Sequence, residues 1–186
     1  MNVKVKICGI RNLESAQTAV DAGADFLGFN FIPGEKRYIH PSSAKKIIDE
    51  VKNKIQIVGV FQNNEIDYVN TIVDQLDLDY AQLHGNETYS NKVHTKVIKT
   101  IHAGDDFLYT CDYFLLDREE NTSLRVPQKN TVPVVLAGGL NCENVAGIAE
   151  EYKPFAVDVA RGVETDGVTD VEKILEFVKQ AKGVLV

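Results

Sequence analysis

Short apolar runs alternate with helix-period segments from one end of this chain to the other. Runs of four to seven residues bounded by polar residues or glycine are the length of strands rather than helices. The pattern predicts eight strands, at Val3–Cys8, Phe26–Phe31, Ile55–Phe61, Tyr80–Leu83, Lys96–Thr100, Tyr113–Asp117, Val134–Ala137 and Ala156–Val159.

Between these runs, apolar residues recur at the three- and four-residue spacing of amphipathic helices. The first stripe contains Leu13, Ala16 and Val20, with Asn12 as its N-cap and Gly23 as its stop. Four later stripes predict further helices, and they begin at Ile47, Ile66, Val145 and Ile174. The segments after the fourth and fifth strands have weaker helical patterns, and residues 118–131 resemble a loop.

Alternating strands and helices imply a parallel sheet with right-handed crossovers. Eight such units favour a closed (β/α)₈ TIM barrel, and an open doubly wound sheet is the alternative. We therefore predict one compact α/β domain over residues 1–186, with weak or missing helices after strands five and six. At 186 residues the chain is short for a barrel, so its helices and loops must be compact.

The composition is that of a soluble globular protein, with 44% hydrophobic and 25% charged residues. A net charge of −7 argues against a general nucleic-acid or membrane binder, although a local cationic pocket is compatible with it. Cys8, Cys111 and Cys142 are odd in number and widely spaced, so neither disulfides nor a zinc site are predicted. Unpaired cysteines are typical of a reducing compartment. The first strand begins too early to leave room for a signal peptide, and no apolar run is long enough to span a membrane. Together these features predict a cytoplasmic protein.

Candidate chemistry lies where the predicted strands end, because barrel active sites form at the carboxyl ends of strands. A partly desolvated Asp117 would have a raised pKa and could act as a general acid. Cys8 could act as a general base if positive potential, for example from Lys6 on the same strand face, lowers its pKa. The alternatives are a buried structural cysteine and an aspartate that caps the next turn. His84, at the end of strand four, is either a site residue or a loop-packing histidine.

Glycine turns and an arginine are candidates for binding an anionic substrate. Gly138 and Gly139 follow strand seven and Gly162 follows strand eight, where phosphate sites recur in barrels. Arg37, in the loop after strand two, could clamp a carboxylate, or it could be a solvated loop arginine.

Taken in order, these segments resemble the phosphoribosylanthranilate isomerase family of tryptophan biosynthesis over nearly the whole chain. The resemblance rests on the order and spacing of Lys6–Gly9, Gly23–Asp25, Gly28–Phe31, Arg37–Tyr38, Val58–Phe61, Gln82–Gly85, Leu116–Asp117, Leu136–Asn141, Asp158–Val159 and Gly162–Glu164.

The resemblance implies an acid/base Amadori rearrangement of N-(5-phosphoribosyl)anthranilate to 1-(2-carboxyphenylamino)-1-deoxyribulose 5-phosphate, with no cofactor and no metal. It implies Cys8 as the general base and Asp117 as the general acid. Arg37 would bind the anthranilate carboxylate, Asp158 would lie near the substrate's amino group, and His84 is a further predicted substrate-binding residue. The small phosphorylated substrate would be the only partner besides a second copy of the chain, since family members are monomers or homodimers.

Two departures from the family fall on the expected phosphate site. The family usually has a Gly-Gly-Thr-Gly loop after the strand-six aspartate, whereas residues 118–131 contain no glycine. The turn after strand eight reads Ala160-Arg161-Gly162 instead of Ser-Ser-Gly. Arg161 is predicted to replace the lost backbone donors with a charged one, and the alternative is a surface pair with Glu164. Accordingly, an isomerase of altered specificity and a non-catalytic phosphoribosyl-ligand binder are the alternative functions.

Overall fold

The computed structural model describes residues 3–88, 90–102, 109–118 and 132–183. Eight parallel strands close into a barrel in chain order, and β1 pairs with both β2 and β8. The strands are β1 Lys4–Cys8, β2 Phe26–Asn30, β3 Gln56–Phe61, β4 Tyr80–Leu83, β5 Lys96–His102, β6 Tyr113–Asp117, β7 Val134–Ala137 and β8 Ala156–Val159. The predicted TIM barrel is confirmed, and the open-sheet alternative is wrong.

Within the described residues, five helices pack around this barrel, namely α1 Leu13–Asp21, α2 Pro41–Val51, α3 Ile66–Leu76, α4 Val145–Tyr152 and α5 Val171–Lys182. Each begins where the sequence supplies a start signal or an apolar stripe. The Asn12 side chain accepts a hydrogen bond from the Ser15 amide at 2.8 Å, which confirms it as the N-cap of α1. None of the described helices has the length and apolar character needed to cross a lipid bilayer.

Among the described residues of the return from β4 to β5, the one helical element is a 3₁₀ turn, Ser90–Lys92, in agreement with the weak helical pattern predicted there. The segments after β5 and β6 fall largely on residues 103–108 and 119–131, which lie outside the described residues. Weak or missing helices at those two places therefore stay a prediction.

The barrel interior changes character along its axis. At the amino-terminal ends of the strands, four aromatic rings contact one another in the order Phe26, Tyr80, Tyr113 and Phe155, with ring centroids 4.7 to 5.7 Å apart. We call these four rings the aromatic floor. Above it the interior becomes polar, and the buried polar or charged residues there are Lys6, Gln82, Thr100 and Asp158. Polar groups inside a barrel need partners, so this layer marks where the site begins.

A two-stranded hairpin after β8 was not predicted from the sequence. Its strands are β9 Glu164–Thr165 and β10 Val168–Thr169, and a 3₁₀ turn, Arg161–Val163, precedes it. Asp166 and Gly167 both have positive φ, at 51° and 78°, which is the conformation of a type I′ turn. The Asp-Gly dipeptide was the available signal for this hairpin. Its importance is positional, because it carries Glu164 to the rim of the barrel.

Candidate active site

A cavity of about 510 Å³ opens at the carboxyl ends of the strands. It is lined by every residue that sequence reasoning selected for the site, which are Cys8, Arg37, His84, Asp117, Gly138, Gly139, Asp158, Arg161 and Gly162. These nine residues, which are widely separated along the chain, therefore meet in one place because the barrel closes. The roles assigned to them remain proposals.

Cys8 lies at the end of β1, next to two charged residues. Lys6, two residues earlier on the same face of β1, pairs in register with Asp158 of β8. Its ammonium donates a hydrogen bond to Asp158 Oδ1 at 2.8 Å, and the lysine side chain is only 1% exposed. Asp158 thus has a protein partner, which the sequence did not predict.

The electrostatics around Cys8 differ from the sequence-based expectation. Burial raises the pKa of the Cys8 thiol, while the positive charge of Lys6 acts in the opposite direction, as predicted, and Asp158 raises it further. The net pKa is raised, so the lowered pKa that we expected for a base is not found in this structure. Burial alone would lower the pKa of Lys6, but the adjacent Asp158 and Cys8 raise it to about 12. Lys6 is therefore a fixed positive charge at neutral pH.

Asp117 ends β6 on the cavity wall, beside two imidazole rings. Burial raises the pKa of Asp117, partly opposed by His84, which confirms the direction predicted from its position. Burial lowers the pKa of His84, so that the ring is neutral at pH 7. His84 and His102 contact edge to face, with centroids 6.1 Å apart, and His102 lies in register with Asp117. His102 was missed because β5 runs two residues beyond the strand predicted from its apolar run.

Arg37 lies at the cavity rim, where it forms a bidentate pair with Glu164. Its Nε and one terminal nitrogen donate to the two carboxylate oxygens at 2.7 and 2.8 Å. Gly9 leaves room for this arginine, since a Cβ there would lie 2.6 Å from Arg37 Cδ. The carboxylate of Glu164, considered above as a partner for Arg161, is thus engaged by Arg37. Arg37 is a structured rim residue instead of a solvated one.

The glycine turn after β7 forms the wall next to Gly162 and Arg161. Gly138 and Gly139 have φ of 87° and 65°, a left-handed conformation that other residues rarely adopt. The Asn141 side chain accepts hydrogen bonds from the amides of Glu143 and Asn144, and these contacts order the loop that leads into α4. This arrangement provides a rigid concave turn at the position predicted for a phosphate group.

Gln82 is a further cavity residue that sequence reasoning did not select. Its side chain donates a long hydrogen bond to Thr100 Oγ1 at 3.3 Å, and its Oε1 is buried without a partner among the described residues. A buried amide oxygen lacking a partner is costly, so it is available to a polar group of a ligand. Alternation along β4 was the signal, because Gln82 and His84 share a face.

The N-(5'-phosphoribosyl)anthranilate (PRA) isomerase family model matches residues 5–180 of this chain. The chain belongs to the phosphoribosylanthranilate isomerase family. The N-(5'-phosphoribosyl)anthranilate isomerase of Citrifermentans bemidjiense is 40% identical over 201 aligned positions, covering 97% of this chain and 98% of that protein. The alignment has 201 positions, whereas this chain has 186 residues. The alignment therefore contains gaps in this chain, which is shorter than that relative within the matched region.

Solved structures of the family superimpose over nearly the whole barrel. Monomers of the dimeric phosphoribosylanthranilate isomerase from Thermotoga maritima give a TM-score of 0.87 at 38% identity, covering 98% of this chain and 100% of theirs. A phosphoribosylanthranilate isomerase in complex with reduced 1-(o-carboxyphenylamino)-1-deoxyribulose 5-phosphate gives 0.88 at 38% identity, with the same coverage. The family assignment therefore rests on sequence and fold together.

Proposed function

We propose that this chain converts N-(5'-phosphoribosyl)anthranilate to 1-(2-carboxyphenylamino)-1-deoxyribulose 5-phosphate, with Cys8 as general base and Asp117 as general acid. The observation that carries the assignment of roles is the placement of this thiol and this carboxyl group on the wall of one cavity. The family membership supports the substrate, and the roles of individual residues are our own assignment.

In the proposed sequence, Asp117 first protonates the ring oxygen of the ribose. The C1–O bond breaks, and the nitrogen lone pair forms a Schiff base with C1. Cys8 then removes the proton from C2, and the electrons of that C–H bond neutralise the iminium nitrogen to give an enolamine. Tautomerisation of this enol yields the ketose product. No redox equivalent is consumed, so the residues that we name are sufficient for the proton transfers.

The pKa directions suit this division of labour. A raised pKa keeps a proton on Asp117 nearer to neutral pH, as a general acid requires. A raised pKa makes the Cys8 thiolate scarcer but more basic. The active form therefore combines the minor thiolate with the protonated carboxyl group.

Arg37 would bind the anthranilate carboxylate. Its pairing with Glu164 occupies one edge of the planar guanidinium, and the remaining N–H donors lie on the other edge. Glu164 thus holds the arginine in a fixed orientation at the rim. The Gly138–Gly139 turn, Gly162 and Arg161 would bind the phosphate group, with the charge of Arg161 replacing backbone donors.

We also propose that the chain acts as one barrel domain in the cytoplasm, as a monomer or a homodimer. Its three unpaired cysteines support a reducing compartment, and the dimeric form of the T. maritima relative supports the second state. No nucleic acid or membrane partner is proposed, on the basis of the net charge of −7.

The purified chain should isomerise N-(5'-phosphoribosyl)anthranilate and rescue a tryptophan auxotroph that lacks this isomerase. Cys8→Ser and Asp117→Asn should each lower kcat by about 100-fold or more, because each removes a group that transfers a proton in the transition state. Cys111→Ser is the matched control, since Cys111 precedes β6 at the opposite end of the strand from Asp117. Steady-state kinetics on folded variants measures both effects.

Full activity in Cys8→Ser would exclude the thiol as the base. A folded wild-type chain with no turnover that still binds the reduced product analogue would favour the non-catalytic alternative.

A further inference from the structure

Lys6 is a charged residue in the interior of the barrel, just below the cavity. Its side chain is 1% exposed, and it forms an ion pair with Asp158 at 2.8 Å. A lysine is rarely buried this deeply unless its charge is used or compensated. The pair could be purely structural, so the position of its ammonium relative to Cys8 decides whether it does more.

Gly28 shows how close that ammonium is to the thiol. A Cβ built on Gly28 would lie 2.7 Å from Cys8 Sγ and 3.1 Å from Lys6 Nζ. The two atoms face the same small volume and cannot be more than about 6 Å apart, the range in which an opposite charge favours the ionised form. The missing side chain of Gly28 is therefore what lets the lysine and the cysteine share one space.

A thiol in this position needs a cation to ionise. Burial is the main effect that disfavours the Cys8 thiolate, and the charge of Lys6 is the largest effect that opposes it. Arg37 also opposes it, but more weakly. Lys6 keeps its proton well above neutral pH, so its charge is present throughout the working range.

We propose that Lys6 is the positioning residue that stabilises the thiolate of Cys8, and that Asp158, through its hydrogen bond to the ammonium, holds this lysine in place inside the barrel. This inference rests on the proposed function of Cys8 as the base. It assigns Asp158 a role through Lys6, in addition to any contact with the substrate.

The proton balance is simple. Cys8 releases its proton to solvent through the open cavity and leaves a thiolate beside the ammonium. The thiolate then accepts the proton from C2 of the substrate and returns to the neutral thiol. Lys6 neither gains nor loses a proton at any step.

The test measures the thiol directly, without substrate. The rate of alkylation of Cys8 by iodoacetamide is followed against pH and resolved by peptide mass spectrometry, with Cys111 and Cys142 as internal references. In Lys6→Met the apparent pKa of Cys8 should rise by about one to three units. At pH 8 the kcat/KM of this variant should fall by about 10-fold or more. The alkaline limb of its kcat/KM profile should move to higher pH.

Asp158→Asn is the matched variant, because the amide keeps the shape and the oxygen acceptor but removes the negative charge. The pKa of Cys8 should then fall, opposite in sign to the effect of Lys6→Met. General loosening of the site would move both variants in the same direction, and that outcome would overturn the proposal. An unchanged Cys8 pKa in folded Lys6→Met would also overturn it.

If Lys6→Met does not fold because Asp158 loses its counter-ion, the double variant Lys6→Met/Asp158→Asn replaces it. Its Cys8 pKa should be higher than that of Asp158→Asn alone, and equality would refute the inference. Failure of the proposed function would give a different result. A fully active Cys8→Ser variant would exclude Cys8 as the base, whereas the effect of Lys6 on the pKa of Cys8, measured by alkylation, would still hold.

Discussion

At the scale of single residues, the site is formed by side chains that are held by partners on distant parts of the chain. Arg37 is oriented by Glu164, and Lys6 is oriented by Asp158, and the partners are 127 and 152 positions apart in the sequence. Bidentate and charge-assisted contacts of this kind fix the direction of a guanidinium or an ammonium group. The proposed catalytic groups therefore meet a preorganised environment, which would reduce the reorganisation needed during the reaction.

Arg161 provides a residue-scale prediction for the phosphate end of the cavity. Arg161→Ala should raise KM for the phosphorylated substrate by about 10-fold or more with little change in kcat, because a charge-assisted contact to the phosphate is worth roughly 1.5 to 3 kcal/mol. Arg161→Lys, which keeps the charge, should lie between wild type and Arg161→Ala. An unchanged KM in Arg161→Ala would refute the idea that this side chain replaces lost backbone donors.

At the scale of elements, a buried ion pair joins three strands near the cavity. Lys99 of β5 and Glu87 in the loop after β4 lie 3.3 Å apart, and both side chains are 1% exposed. Glu87 also accepts a hydrogen bond from the Asn63 amide after β3, while Lys99 donates to Gly85 O and lies over the Tyr109 ring. This cluster fixes the loop that begins at His84.

Lys99→Met should destabilise the protein by about 3 to 5 kcal/mol, because it leaves the Glu87 carboxylate buried without its cation. Urea unfolding of the variant measures this loss. Lys99→Met/Glu87→Gln should recover part of it, since no uncompensated charge remains. The control is Lys45→Met, which removes an exposed pair with Asp49 and should cost less than about 1 kcal/mol. If Lys99→Met and Lys45→Met lost the same free energy of unfolding, the buried pair would contribute no more to stability than the exposed one.

Most elements could be predicted because their apolar periodicity is strong. β4, β6, β7 and β8 begin and end where the sequence predicts, since each is a short, mainly apolar run. A polar residue or a glycine marks the end of three of them, at His84, Asp117 and Gly138. The hairpin over Glu164–Thr169 was missed because two-residue strands have no measurable periodicity. Its Asp-Gly turn was the only local signal.

At the scale of the whole molecule, the closed barrel explains why the candidate site was easier to predict than its internal contacts. Closure brings all strand ends to one rim, so a list of strand-end residues already approximates the cavity lining. The pairs Lys6–Asp158 and Arg37–Glu164 depend on which strands and loops become neighbours after closure. Hydrophobic pattern carries no information about such side-chain pairs.

The stability of the whole molecule should fall at alkaline pH. Burial raises the pKa of all three cysteine thiols above 9.0, in the case of Cys111 to about 11. As the pH rises, the unfolded chain therefore loses these thiol protons at a lower pH than the folded chain does. The contribution of the thiols to the free energy of unfolding is complete below about pH 8 and is lost through pH 9 to 11. Urea unfolding under reducing conditions should show a smaller decrease for Cys111→Ser/Cys142→Ser than for wild type. Identical decreases would rule out the thiols as the cause.

The aromatic floor has a consequence for substrate entry and product release. Because these rings pack inside the amino-terminal end of the barrel and the cavity is lined by residues at the carboxyl ends, we expect substrate and product to use the same opening. Product must therefore leave the cavity before the next substrate can enter. A small inhibitor bound at the cavity opening would stop turnover without contacting the Cys8 sulfur.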